Sequence, residues 1–276
     1  MISYSYLKCK DLAQAYDLLD KEEQVYPLAG GTDLLVGMRG GKFTAKLVVD
    51  IKELAELKIL EENDQGIVIG AAVTLNEIAT FKPILDHALV LAEGAHSVGS
   101  YPIRNRATLA GNICNASPAA DTAAPLFTLN AIVKITGSKG KRTVPINEFF
   151  IGPGKNALHK GELVESVLIP RPYPKGAGTY MKASRTGSVD LATVGVAIQR
   201  WDDQVQVAVG AVAATPVRAI SVEKAINENG EKDFAKAASL ARNDISPITD
   251  LRGSREYRYH MAEVLIRRGI EKVMEV

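Results

Sequence analysis

Pro27-Leu28-Ala29-Gly30-Gly31-Thr32-Asp33-Leu34-Leu35 is the stretch on which the reading of this chain turns. A short apolar strand, Val25 to Leu28, runs into paired glycines. Glycine reaches backbone conformations closed to other residues and lets main-chain N–H groups approach an anion. With the Thr32 hydroxyl beside them, these residues suit a pyrophosphate. A simple tight turn is the alternative.

Downstream lies a second cluster, Thr108-Leu109-Ala110-Gly111-Asn112, followed by Ile113-Cys114-Asn115-Ala116-Ser117-Pro118-Ala119-Ala120-Asp121-Thr122. Small polar groups crowd here beside residues that read as core, an arrangement that is costly unless something satisfies them. A polar ligand would do so; alternatively Ser117 and Asp121 cap the next helix. No GxGxxG joins a strand to a helix, and no Gly-Lys-Ser/Thr follows either loop, so Rossmann and P-loop sites are excluded. GxSxG and HExxH are also missing.

Outward from the first loop, Leu12, Ala15, Tyr16 and Leu19 share one face of a helix predicted from Asp11 to Leu19. Leu47 to Ile51, Gly66 to Val73 and Ala131 to Thr136 read as strands. Thr74-x-x-Glu77 is a capping box, and His87 to Ser97 reads as one helix. Pro170, Pro172 and Pro174 form a stiff segment that suits a linker. Beyond it, Ala192 to Arg200 and Val205 to Ala213 are predicted strands. Ser254 caps a last helix to about Lys272, whose apolar stripe includes Tyr257, Met261, Val264 and Leu265.

The length of 276 residues suits two or three packed units, and 46% hydrophobic content suffices for an ordinary core. A net charge of +1 argues neither for nucleic acid nor for an anionic membrane surface as partner. No apolar run approaches the roughly 20 residues of a membrane span. Nothing near Met1 resembles a signal peptide, so a soluble, cytoplasmic protein is expected. Cys9 and Cys114 cannot supply the ligands of an iron–sulfur cluster, and His87, His96, His159 and His260 lack metal-ligand spacing. Any cofactor held by this chain is therefore expected to be organic.

The two loops, with Tyr180-Met181-Lys182-Ala183-Ser184-Arg185 and Asp250-Leu251-Arg252-Gly253-Ser254-Arg255-Glu256-Tyr257-Arg258, resemble the medium, FAD-binding subunit of the xanthine dehydrogenase and carbon monoxide dehydrogenase family of molybdenum hydroxylases. The likeness runs from Tyr4 to the last helix. It implies an α+β chain. A two-subdomain FAD-binding domain of the vanillyl-alcohol-oxidase type would occupy 1–174, with subdomains of about 1–56 and 57–174, and a smaller α+β domain 175–276. By the same resemblance, Leu28, Ala29, Gly30, Gly31, Thr32, Asp33, Leu34 and Leu35 would wrap the FAD pyrophosphate. Thr108, Leu109, Ala110, Gly111 and Asn112 would form the opposing loop, with Ser117 nearby. Asp121 would accept from sugar or ribityl hydroxyls, Val164 would lie by the adenine, Lys182 near the FAD, and Leu191 against the isoalloxazine.

Two departures from the family pattern matter. Ala110 stands where the family often has glycine, which is tolerable only if that residue has negative φ. There is also no inserted cysteine-rich loop for an extra cluster. The resemblance further implies molybdopterin on a large partner subunit and 2Fe–2S clusters on a small one, in a dimer of heterotrimers. Electrons would pass from the clusters through FAD to an external acceptor, with no general acid or base on this chain. A stand-alone flavin oxidase and a scaffold with vestigial loops are the rival readings.

Overall fold

The computed structural model describes residues 3–187 and 189–275. Three sheets follow one another along the chain, and a two-stranded ribbon, Phe150–Gly152 with Lys155–Asn156, precedes the last strand of the second. In the first, Leu47–Asp50 lies between Ser5–Lys8 and Val25–Leu28 and runs parallel to both. Parallel neighbours need crossovers. The helix Leu12–Lys21 makes one, N-capped by Asp11, whose side chain accepts from the Gln14 N–H. The glycine turn and the helix Leu34–Arg39 lie in the other. The turn therefore leaves the carboxyl end of a parallel strand, the edge at which ligands gather in open sheets.

The second sheet is antiparallel, in the order Leu60–Asn63, Gly66–Gly70, Glu162–Pro170, Ile132–Gly137, Gly140–Pro145. A run of short helices between its second and third strands by sequence, from Leu75–Thr80 to Ala123–Thr128, carries the second loop. The third sheet orders Gly178–Ala183, Val194–Trp201, Gln204–Gly210 and Val217–Arg218, all antiparallel. The helix Arg255–Met274 packs on it.

Alternate residues of the third sheet serve two cores. Val196, Ile198, Val207 and Val209 belong to the C-terminal core, whereas Tyr180, Ala197 and Ala208 belong to the large core shared with the earlier sheets. A strand buried on both faces reads as a continuous apolar run, as Val194 to Ile198 does.

Several expectations are corrected. The predicted helix from His87 to Ser97 is two helices, Lys82–His87 and Leu89–His96, broken at Ala88, whose φ of −143° is not helical. The strand at Gly66 stops at Gly70, after which the Ala71 N–H turns to the Glu165 carbonyl. The last helix buries Arg258, Tyr259, Ala262, Leu265, Ile266, Ile270 and Val273, while Tyr257 is exposed. Its inner face is thus turned from the expected stripe, because the buried Arg258 stands on it. The stiff proline segment packs against the preceding region: Tyr173 stacks on His87 at 4.4 Å and Pro174 is buried.

Candidate functional site

Gly31 has φ +75°, a left-handed conformation that favours glycine. At Gly30 the need is steric: a Cβ would lie 2.3 Å from the Arg106 carbonyl oxygen and 2.8 Å from Ala107 Cα. The first loop therefore rests, backbone on backbone, against the residues leading into the second. Leu28 is buried with Met38, Ala45 and Val48, and Leu34 packs beside them. These contacts fix both ends of the turn, while Leu35 remains exposed.

Main-chain hydrogen bonding resumes with the Leu35 N–H, which donates to the Gly31 carbonyl at 3.0 Å. Among the described residues, the N–H groups of Gly30, Gly31, Thr32, Asp33 and Leu34 have no main-chain acceptor. Asp33 precedes the helix without a side-chain capping bond. Neighbouring free amides, fixed in place and backed by the Thr32 hydroxyl, form a cradle whose chemistry fits a diphosphate. Ala29, Thr108 and Arg106 also line an open cleft of about 230 Å³ beside this turn.

Thr108 is the N-cap of the helix Leu109–Cys114, its Oγ1 accepting from the Gly111 N–H at 3.0 Å. Leu109 and Ala110 are buried beneath it. Ala110 is helical and is not among the residues with positive φ, so its methyl group brings no backbone strain. Asn112 Oδ1 accepts the Thr122 hydroxyl at 2.6 Å. Ser117 Oγ accepts from the Ala119 N–H at 3.3 Å. Neither Ser117 nor Asp121 caps the helix Ala123–Thr128, so that alternative falls.

The structure gives Asp121 a different role from the one expected of it. Both its oxygens accept from protein groups: Oδ1 from the Tyr180 hydroxyl at 2.7 Å and Oδ2 from Lys182 Nζ at 3.1 Å. With only 5% of its surface exposed, it offers a ligand hydroxyl little access. Burial pushes its carboxyl above the usual range, against the pull of the Lys182 charge and of both hydrogen bonds. Tyr180 is likewise raised, by burial first and by Asp121 second. Lys182 also donates to the Ser97 carbonyl at 2.7 Å. Arg104 in turn holds the Val98 and Gly99 carbonyls, both at 3.1 Å. The turn from Ser97 to Arg104 was missed in the sequence; its one signal is the buried Arg104 inside an otherwise apolar Tyr101-Pro102-Ile103.

Val164 is not brought to the loops by its side chain. It pairs with Ile135 in a central strand and is 3% exposed, because both faces of that strand are covered. Leu191 is 59% exposed, on the connection between the strands Gly178–Ala183 and Val194–Trp201. The closing motif acts from beneath. Arg258, 1% exposed, donates to the Thr193 and Ala211 carbonyls at 2.6 and 2.8 Å and to Asp250 Oδ1 at 2.6 Å. The Ala211 N–H then reaches the Pro118 carbonyl at 2.6 Å, tying the motif to the second cluster. Burial works against the Asp250 charge, but the Arg252 N–H and the Arg252 and Arg258 guanidiniums outweigh it and hold the carboxyl at about 2.

Residues 2–172 match the FAD binding domain in molybdopterin dehydrogenase, and residues 178–273 match the CO dehydrogenase flavoprotein C-terminal domain. The chain is 31% identical over 281 residues to a putative xanthine dehydrogenase FAD-binding subunit of Escherichia coli K12, covering 98% of this chain and 96% of that one. It is 30% identical to the glyceraldehyde dehydrogenase medium chain of Sulfolobus acidocaldarius, covering 98% of each. Its fold matches carbon monoxide dehydrogenase from Hydrogenophaga pseudoflava with a TM-score of 0.92 at 27% identity, over 99% of this chain and 97% of that one. With its glycine cradle, its opposing loop and this likeness along nearly its whole length, the chain belongs to the FAD-binding medium subunits of the xanthine and carbon monoxide dehydrogenase family, the oxidoreductase flavoproteins of molybdenum hydroxylases.

Proposed function

We propose that this chain carries electrons between 2Fe–2S clusters on a small partner subunit and an external acceptor, while substrate is oxidised at the molybdenum cofactor of a large partner. The observation that carries the reading is the row of unengaged amides from Gly30 to Leu34, pinned by Gly30 against the second loop. When bound, FAD supplies a carrier that takes up two electrons and releases them again. The chain's own part is to bind, orient and shield it.

In this reading Gly30 to Leu34, Thr32 Oγ1 included, hold the diphosphate. Thr108, Gly111 and the Asn112 amide face it from the second loop. Lys182 brings a positive charge to the flavin end, and Asp121 acts through Lys182 by fixing its ammonium. Leu191 lies free to cover the ring. The FAD-binding part would be 1–174, built from two subdomains of the vanillyl-alcohol-oxidase type, and the C-terminal domain 175–276. A dimer of heterotrimers in the cytoplasm is the assembly proposed. Among the described residues no helix is long and apolar enough to cross a membrane.

FAD is expected to bind non-covalently. Burial pushes the Cys114 thiol up to about 12, which keeps it from acting as a nucleophile, and Cys9 is buried with its thiol raised as well. Denaturing precipitation of the yellow protein should leave all flavin in the supernatant. Flavin that stays with the pellet would contradict this binding mode, and a protein that takes up no FAD at all would overturn the functional reading.

A further inference from the structure

The cleft beside the glycine turn contains three cations, Lys52, Lys58 and Arg106. Lys52 is bonded to the buried Asp50, and Lys58 donates to Glu53 at 2.8 Å. The remaining carboxylate and hydroxyls of the lining are also engaged, as is the oxygen of the Asn105 amide. Glu77 accepts the Thr74 N–H and hydroxyl at 2.8 and 2.6 Å, and Asn105 Oδ1 accepts from Asn76 at 2.6 Å. Arg106 is the exception. Among the described residues no carboxylate lies within ion-pair distance of its guanidinium, although its backbone is firmly held. Its N–H donates to the Ile103 carbonyl at 3.0 Å, and its own carbonyl is the surface on which Gly30 rests.

From this accounting we infer that Arg106 is a further anion-recognising residue of the chain, its guanidinium engaging a phosphate oxygen of a dinucleotide diphosphate held at the Gly30–Leu34 amides. This rests on the FAD reading above. Free amides supply hydrogen bonds but no net charge, whereas a diphosphate brings negative charge to a cleft whose two lysines are already neutralised. A planar guanidinium offers paired donors that match phosphate geometry. The close approach at Gly30 fixes the Arg106 backbone beside the cradle.

The test is FAD binding to the full-length, flavin-stripped chain, followed by flavin fluorescence at a series of salt concentrations. Because Arg106 is exposed, Arg106→Gln should fold as wild type does, by circular dichroism. FAD affinity is expected to fall about tenfold or more, in line with the loss of a charge-assisted hydrogen bond. Its salt dependence should flatten, and Arg106→Lys should recover part of both. Riboflavin, which lacks phosphate, should bind wild type and Arg106→Gln alike. If Arg106→Gln binds FAD within twofold of wild type with an unchanged salt slope, the assignment of Arg106 is overturned while the FAD reading stands. If wild type itself takes up no FAD, both fall.

Discussion

A methyl group added at Gly30 would meet backbone, the Arg106 carbonyl and Ala107 Cα, and backbone cannot rotate away as a side chain can. At Gly31 the nearest atoms are the Leu28 and Leu35 methyls, which can, so the cost there is the left-handed φ. The two glycines are therefore required for different reasons. Gly30→Ala must push the loops apart, and a destabilisation of about 1–3 kcal/mol is expected, with most of the bound flavin lost. Gly31→Ala should cost about 1–2 kcal/mol and keep more flavin. Flavin-to-protein ratio and urea unfolding of both variants measure this. A Gly30→Ala protein with full flavin content would show that contact between the loops is not what shapes the cradle.

At the scale of elements, what could be read from sequence depended on whether a pattern was local. The helix Leu12–Lys21 and the strand Leu47–Asp50 were legible because cap, period and apolar run all lie within a few residues. The first loop was legible for the same reason, since a glycine pair after a strand signals itself. The inner face of the last helix was not. Arg258 looks like a surface residue until Asp250 and the Thr193 and Ala211 carbonyls, distant in the chain, close around it. The bonds that Asp121 makes were not legible either, because Tyr180 and Lys182 reach it only through sheet packing.

The Asp250 turn carries a pH dependence of its own. Its carboxyl is lowered from an ordinary 3.8 to about 2 in the folded chain, so the unfolded chain takes up the proton first as acid is added. Its stabilisation is fully present above about pH 4 and is lost as the pH falls towards about 2. Asp250→Asn should therefore be less stable than wild type at neutral pH, and the gap should narrow through that acid window. Urea midpoints of the two proteins at a series of pH values give the measurement. A gap that stays constant down to the lowest pH would mean that the Asp250 charge does not hold the motif.

At the scale of the whole molecule, the C-terminal sheet is not an appendage. Its strands lend Tyr180, Ala197 and Ala208 to the main core, and Glu93 accepts the Thr179 hydroxyl and the Tyr180 N–H at 2.9 and 2.6 Å from a helix of the preceding region. A chain built in this way, with relatives that are medium chains of multi-subunit enzymes, is expected to need partners for turnover. Co-expressed with a 2Fe–2S subunit and a molybdopterin subunit, it should elute with them on size exclusion and support substrate-dependent dye reduction. Alone it should be inert towards organic substrates. Equal turnover by the lone chain would replace the subunit reading with that of an independent flavin oxidase.

The bond between Lys182 and Asp121 also sets an order of events during synthesis. Asp121 leaves the ribosome well before the residue that will neutralise it. Until Lys182 and Tyr180 have emerged and the strand Gly178–Ala183 has docked, its carboxylate has neither of these partners and stays hydrated. The second loop thus cannot gain these two bonds until the strand Gly178–Ala183 has been translated.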